Sequence, residues 1–175
     1  METEPKDVIV LGSIRRGKNK FSNIQNETKI TEKELNLILE QLENKKFITV
    51  EEKKGWLGKK IELEITEEGS MELDRKIIQI QDKWKEMQSL YQSGDKQKLQ
   101  QKMEENKSLL PTMMFFGMMD MMMFSMMFSM MGVGMSDYVS QENIPDGGMD
   151  DGGMDDGGMD DGGMDDGGFD FDIGF

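Results

Sequence analysis

Within the first 75 residues, the spacing of hydrophobic residues changes from a helical period to a strand period. Up to residue 46, apolar residues recur every three to four positions, which predicts amphipathic helices; after it they alternate, which predicts strands. The predicted helices are Asp7–Arg16, Phe21–Thr28 and Thr31–Lys46, and the predicted strands are Phe47–Glu52 and Lys60–Thr66. The inward-facing helical positions are Val8, Ile9, Leu11, Ile14, Phe21, Ile24, Leu35, Ile38, Leu39 and Leu42.

Cap and turn residues separate these elements. Gly17 follows two arginines and closes the first helix. Thr31 and Glu34 have the spacing of a capping box, in which each side chain accepts the other residue's backbone N–H. Lys54–Lys59 is a glycine-bearing loop between the strands, and Thr66–Gly69 opens another helix.

A heptad pattern follows the predicted hairpin, and its spacing of four and three residues predicts a long helix over residues 71–108. The seam residues are Leu73, Ile77, Ile80, Trp84, Met87 and Tyr91. We expect this seam to pair across a dimer axis; the alternative is that it packs against the chain's own head. Ser93–Asp95 interrupts the pattern, and a shorter helix with Leu99 and Met103 leads to Pro111.

Residues 113–135 contain 12 methionines and 4 phenylalanines, and the sequence predicts one hydrophobic helix over 109–135. A membrane span needs about 20 apolar residues. Asp120 opposes insertion, because a carboxylate near the bilayer centre costs about 2.5–3.5 kcal/mol. Gly117, Ser125, Ser129 and Gly132 share one sector of the helical wheel, which favours close approach of another helix.

Three uses of this segment stay open: burial in an oligomer core, membrane association with the head in the cytoplasm, or a groove for apolar clients. Methionine suits the last because its side chain is flexible and polarizable. Thioethers also bind Cu(I), but this run defines no ligand geometry. The candidate contact residues are Met118, Met122, Met126 and Met130.

The net charge of −14 is unevenly distributed. Residues 136–175 carry 13 acidic side chains and no lysine or arginine, whereas the first 135 residues are nearly neutral. Gly147–Asp166 repeats Gly-Gly-Met-Asp-Asp four times. Such a composition buries too little apolar surface to offset the entropy of ordering, so residues 136–175 are predicted to form a disordered acidic tail.

The composition argues against catalysis. The chain has no cysteine and no histidine, which excludes thiol chemistry and removes the commonest general base. There is no phosphate-binding or dinucleotide-binding glycine motif, so we predict a non-enzymatic protein with no cofactor and no bound metal. The acidic, polar start Met1–Pro5 is unlike a secretory signal, which favours a cytoplasmic location.

The order helix, helix, capped helix, β-hairpin, helix over residues 5–75 resembles a winged helix-turn-helix domain of the broad MarR/PadR-like class, which is abundant in archaea. The resemblance rests on the helix at 31–46, the hairpin at 47–66 and the post-wing motif Ile65–Gly69. It implies a winged domain over 5–70 whose third helix enters the major groove of double-stranded DNA while the hairpin tip touches the backbone.

Basic residues of this head are the candidates for phosphate contact, and Lys33 and Asn36 are candidates for base edges. The full set is Arg15, Arg16, Lys18, Lys20, Lys29, Lys33, Asn36, Lys53, Lys54, Lys59 and Lys60. Glu32, Glu40 and Glu43 lie on the same third helix and would repel phosphate. A solvated surface, or a winged helix that docks proteins, is therefore the alternative.

Gly168–Phe175 resembles the acidic tip of bacterial single-stranded-DNA-binding proteins, which also ends in aspartates, Ile, one residue and Phe. The match departs at Gly174, where that tip has proline. The resemblance implies that Phe171, Ile173 and Phe175 dock into a partner protein, or onto the chain's own basic surface in competition with DNA.

Together the patterns predict a mainly α-helical fold with a small β-hairpin: a winged head, a long heptad helix, a methionine-rich helix and an acidic tail. The expected function is that of a homodimeric DNA-binding transcriptional regulator or chromatin-associated factor. The alternative is a non-enzymatic adaptor or holdase-like protein that uses the methionine segment to bind apolar partners or a membrane.

Overall fold

The computed structural model describes residues 5–55 and 58–139, without the side chains of 53–55 and 58–60. The fold is mainly helical with one antiparallel hairpin, as the sequence predicts. Its helices are α1 (Pro5–Arg15), α2 (Phe21–Thr28), α3 (Glu32–Asn44), α4 (Glu67–Gln92), α5 (Lys96–Glu105), α6 (Leu110–Phe115) and α7 (Met121–Met131). The strands are β1 (Ile48–Gly55) and β2 (Gly58–Ile65), and short 3-10 helices span Lys107–Leu109 and Met135–Asp137.

Helix α1 lies at the centre of the fold. Every residue from Asp7 to Ile14 is buried, and the helix contacts α2, α3, α4, α6 and β2. The buried carboxylate of Asp7 lies 3.4 Å from the ammonium of Lys45 at the end of α3. A buried charge is tolerated only with such partners, so this contact fixes α3 against α1.

The predicted start of α3 is confirmed, but the predicted capping box is wrong. Thr31 is the N-cap residue with extended backbone, yet its side chain makes no capping hydrogen bond. The Glu34 carboxylate instead accepts from the ammonium of Lys6 on α1. The Glu34 side chain, which a capping box would have used, is therefore engaged in a long-range ion pair.

The hairpin is longer than the sequence predicts. Lys53, Lys54, Lys59 and Lys60, expected partly in a loop, lie within the strands, in which Lys53 pairs with Lys60 and Lys54 with Lys59. The base of the hairpin is anchored, because Ile48 and Leu63 are buried.

Thr66 opens α4 as predicted, and its hydroxyl accepts from the backbone N–H of Gly69 at 3.0 Å. The helix therefore begins at Glu67, so the predicted domain boundary at 70/71 falls inside a continuous helix. The winged head and the long helix are one packed unit.

The heptad seam of α4 faces the chain's own core. Leu73, Ile80, Trp84 and Met87 are buried, while Ile77 and Tyr91 are partly buried against the same core. The covering elements include α1, α5 and α6. Packing against the chain's own head is therefore the alternative observed here. A dimer formed through the seam stays a prediction, and it would require the hydrophobic core to open.

The methionine-rich segment is two helices, which corrects the prediction of one helix over 109–135. Gly117 has a φ of +64°, which ends the α6 region, and Asp120 is the N-cap of α7, accepting from the backbone N–H of Met123 at 2.9 Å. The one charge in the segment is therefore a cap and not a mid-helix defect. The predicted small-residue sector is also wrong, since Gly117 and Gly132 lie outside α7.

The two short helices complete a second half of the hydrophobic core. Met113, Phe124, Met127 and Phe128 are buried, and the ring centroid of Phe124 lies 6.2 Å from that of Trp84. The methionines fill an irregular space between α4, α5 and α7, a use to which their flexible side chains are suited. Burial within one chain was not among the uses expected for this segment.

The packed unit runs past the predicted boundary at residue 135. Val139 is buried, and the ring of Tyr138 lies 5.1 Å from that of Phe128. Within the described residues, none of the helices combines the length and the hydropathy that a membrane crossing requires. The repeat and the predicted tip residues Phe171, Ile173 and Phe175 lie outside the described residues.

Candidate nucleic-acid interface

The outer face of α3 is the centre of the candidate interface. Leu35, Ile38 and Leu42 hold the inner face of the helix in the core, so the opposite face is presented to solvent. Exposed residues on that face are Lys33, Asn36, Leu37 and Glu40. Lys33 and Asn36 lie on the exposed N-terminal half of the helix, and their contact with base edges stays a prediction.

Leu37 is a residue of this face that the sequence analysis missed. Its side chain is 52% exposed, which is unusual for a leucine beside a well-formed core stripe. An apolar side chain at this position can contact the methyl group of thymine in a major groove. The sequence does indicate that Leu37 is exposed, because this leucine lies on the polar side of the α3 helical wheel.

The turn between α2 and α3 presents Lys29. Lys29 ends α2 in a left-handed conformation, with a φ of +56°, and its side chain is exposed. An open cleft of about 640 Å³ borders this turn, and Gln25, Asn26 and Thr31 contribute polar groups to its wall. Lys29 and Thr31 therefore line the same cleft, next to the N-terminus of α3.

Lys18 and Lys20 lie in the α1–α2 loop beside the wing. The carbonyl of Asn19 between them accepts from the backbone N–H of Leu63 on β2, at 2.9 Å. This bond ties the loop to the hairpin, and both lysines remain exposed.

Four predicted lysines lie at the far end of the wing. The strand register sets Lys53 opposite Lys60 and Lys54 opposite Lys59, next to the turn. Farther down the hairpin, Glu51 is opposite Glu62. The register therefore brings the backbones of the four lysines together at one end of the hairpin.

Arg15 and Arg16 are both engaged within the chain. Arg15 forms an ion pair with Asp74 on α4. The Arg16 guanidinium lies 3.6 Å from the Glu27 carboxylate, donates to the Phe115 carbonyl at 3.1 Å and stacks 4.4 Å from the Phe115 ring centroid. Arg16 thus joins α1 to α2 and α6.

Acidic side chains limit the electrostatic attraction of α3. The helix carries four glutamates and one lysine. Glu34 is paired with Lys6, while Glu32, Glu40 and Glu43 are exposed. Helix α3 by itself therefore offers a polyanion little net electrostatic attraction.

The apolar-partner candidates divide into two groups. Met122 is 70% exposed and Met126 is 47% exposed, whereas Met118 and Met130 are partly buried against the core. An exposed apolar face therefore exists on α7, although most of the segment's apolar surface is used inside the chain.

The order of elements, the anchored hairpin and the projecting face of α3 define a winged helix-turn-helix DNA-binding domain. The chain belongs to the HxlR-like helix-turn-helix family, whose model matches residues 5–93. That family is one of DNA-binding transcription regulators, which supports the same general role here. The MarR/PadR-like class, the archaeal type and the likeness of the tip stay predictions. No curated protein and no solved structure is significantly similar to the chain.

Proposed function

We propose that the chain is a transcription regulator that binds double-stranded DNA as a homodimer and has no catalytic role. In this proposal the exposed face of α3 enters the major groove, with Lys33 and Asn36 at base edges and Leu37 against a thymine methyl group. The observation that carries it is this outward face of α3, held by a fully buried inner face in a chain of the HxlR-like family.

Backbone contacts are assigned to the cations around that face. Lys29 stands at the α2–α3 turn, Lys18 and Lys20 in the loop tied to β2, and the lysine pairs at the end of the wing. Removing one lysine that binds a phosphate should lower the slope of log affinity against log salt by about 0.9. We leave Arg15 and Arg16 out of this set, because their side chains are held by Asp74 and by Glu27 and Phe115.

The test is DNA affinity against salt concentration, measured by fluorescence anisotropy with a mixed-sequence duplex. Lys54→Ala/Lys59→Ala should weaken binding and reduce the salt slope by about 2. Lys83→Ala/Lys85→Ala is the matched control, because it removes two exposed lysines from α4, which carries none of the candidate contacts. Wild-type protein with no salt-dependent affinity for DNA would contradict the proposed function.

The base-reading role of α3 needs its own test. We expect Asn36→Ala and Leu37→Ala to leave mixed-sequence affinity nearly unchanged but to reduce enrichment of a preferred sequence when the protein selects from a random DNA pool. Glu43→Ala, on the same helix but nearer its end, is the control. Equal enrichment by all three variants would place sequence readout elsewhere.

The adaptor or holdase-like role is the second candidate, and the observation in its favour is the exposure of Met122 and Met126. It predicts that Met122→Ser/Met126→Ser abolishes suppression of aggregation of an unfolded test protein. The deep burial of Met113, Met127 and Met131 favours the regulator instead, because those side chains are part of the fold.

A further inference from the structure

A small cavity of about 80 Å³ is bordered by α1, α4 and the 3-10 helix that ends at Leu109. Its floor is apolar, because the side chains of Val8 and Ile80 are buried there, and Pro5 and Leu109 complete the wall. None of the contacts assigned to DNA involves these residues. The cavity is therefore separate from the candidate nucleic-acid interface.

The mouth of the cavity carries amide and ammonium groups. Lys76, Gln79 and Lys83 lie three and four residues apart on α4, so they share one face of the helix. Seven residues of α-helix place the two lysines about 10 Å apart along the axis, one at each side of the mouth. The lining contains no acidic side chain among the described residues. The polar part of the site is thus cationic.

The two ammonium groups are available to an anion. Within the described part of the chain, neither Lys76 nor Lys83 forms an ion pair. The acidic residues near them on α4 are Glu72, Asp74, Asp82 and Glu86, which pair with Arg75, Arg15, Lys85 and Lys102. Two unpaired cations beside an apolar floor favour a ligand with one anionic group and an apolar body.

We propose that this cavity binds a short-chain aliphatic carboxylate, with the carboxylate between Lys76 and Lys83 and the hydrocarbon chain against Val8, Ile80 and Leu109. The volume limits the chain length. Because a cavity of about 150 Å³ holds benzene, one of about 80 Å³ suits a body of about three to five carbon atoms. A phosphate ion fits the site poorly, since its oxygens would lie against the apolar wall without hydrogen-bond partners.

The extension that follows the matched domain completes the site. Helices α1 and α4 lie within residues 5–93, which match the HxlR-like family, whereas Leu109 lies beyond them. The hydroxyl of Thr112 donates to the carbonyl of Pro5 at 3.3 Å, which holds α6 against α1 beside the cavity. The site is therefore a feature of this chain and not of the matched domain alone.

A titration of the full chain with isobutyrate, followed by chemical shifts in protein NMR, tests the proposal. Isobutyrate should cause saturable shifts of the backbone amides of Val8, Ile80 and Leu109. The expected Kd is on the order of 1 mM, because so small a ligand makes few contacts. Isobutyramide has the same shape without the charge, and it should bind about tenfold more weakly or less. Sodium chloride keeps the ionic strength constant throughout.

Removal of the two cations tests the anionic end of the site. Lys76→Gln/Lys83→Gln should lower the affinity for isobutyrate about tenfold or more, because charge-assisted hydrogen bonds to the carboxylate are lost. The matched control is Lys85→Gln/Lys98→Gln, which removes the same charge from exposed lysines outside the cavity and should bind as wild type does. None of the four lysines is buried, so circular dichroism should show both variants folded.

Leu109→Ala tests the apolar end. The variant removes part of the wall, so it should lower the affinity for isobutyrate about fivefold. Acetate has no chain to place against this wall, and its weaker binding should change little. Equal losses for the two ligands would contradict a hydrocarbon contact with Leu109.

Absence of saturable shifts at these amides overturns the proposal, as does binding that survives Lys76→Gln/Lys83→Gln. Inorganic phosphate that binds as tightly as isobutyrate at equal ionic strength would also contradict it, since the apolar floor would then contribute nothing. Failure of DNA binding is separable, because Lys54→Ala/Lys59→Ala should lose salt-dependent affinity for DNA and still bind isobutyrate as wild type does.

Discussion

The guanidinium of Arg16 lies 4.4 Å from the ring centroid of Phe115 and donates a hydrogen bond to the carbonyl of the same residue at 3.1 Å. Arg16 directly follows the first helix of the winged domain, and Phe115 ends the first helix of the methionine-rich extension. The same guanidinium is 3.6 Å from Glu27 on α2. One side chain thus connects the extension to the helix-turn-helix.

Removing that side chain should loosen the extension. We expect Arg16→Ala to lower the free energy of unfolding by about 1 kcal/mol, since the variant removes a cation–π interaction and a charged hydrogen bond at a partly exposed site. Urea denaturation followed by tryptophan fluorescence measures this. Arg75→Ala is the control, because its exposed pair with Glu72 one helical turn away should contribute little. Equal effects of both variants would contradict a special role for Arg16.

Gly69 at the start of α4 lies close to the backbone of Phe47. A Cβ at this position would lie 2.0 Å from the carbonyl oxygen of Phe47, which is backbone and cannot rotate away. Gly69→Ala should therefore destabilise the junction of wing and α4 by about 2 kcal/mol or more. Gly134→Ala is the control, because its Cβ would make only ordinary contacts at 3.4 Å. Thermal unfolding of the two variants tests the difference, and similar melting temperatures would refute it.

Trp84 and Phe124 tie the extension to α4. Both are buried, so Phe124→Ala should leave a cavity and lower the free energy of unfolding by about 3–5 kcal/mol. Met122→Ala, on the exposed side of the same helix, should change it by less than about 0.5 kcal/mol. Chemical denaturation gives both values. A small effect of Phe124→Ala would mean that α7 is only loosely attached to α4.

The pH dependence of stability should include a contribution from Asp95. Hydrogen bonds from Lys98 lower the pKa of this carboxylate, which caps α5. A lowered pKa in the folded state stabilises the fold above the unfolded pKa of about 4, and the contribution is lost as pH falls through the folded value. Asp95→Asn retains a capping oxygen but not the charge. The variant should be less stable than wild type near neutral pH and equally stable in acid; a constant difference across pH would contradict this origin.

Local patterns predicted the order of helices and strands in the winged head. The bounds predicted for α2 are those observed, because Phe21 and Ile24 give a short helical period between polar turns. The sequence likewise predicted the N-terminus of α4 from Thr66 and Gly69. The capping box at Thr31 was predicted wrongly, because Glu34 bonds to Lys6, 28 residues earlier in the chain. A competing contact with so distant a residue cannot be recognised from the local sequence.

The methionine-rich segment was misread for a physical reason. Its apolar residues are nearly continuous and show no helical period, so the sequence did not indicate which side of each helix would be buried. The break was nevertheless encoded, because Gly117 can take a positive φ and Asp120 is a good N-cap. The engagement of Arg15 and Arg16 depends on partners 59 and 99 residues away, which the local pattern cannot supply.

The acidic residues after Val139 are expected to lower the affinity for DNA. If the segment from residue 140 onward competes with DNA for the basic surface, a chain ending at Val139 should bind DNA more tightly than the full chain at low salt. The difference should shrink as salt rises, because screening weakens attraction between exposed charges.

Ending at residue 139 keeps Val139 and Tyr138 in place, whereas ending at 108 would uncover Trp84 and confound affinity with folding. Replacing the aspartates after residue 145 with asparagine in the full chain is the matched control for length. That variant should bind as tightly as the chain ending at Val139, and unchanged affinity in both would exclude competition by these residues.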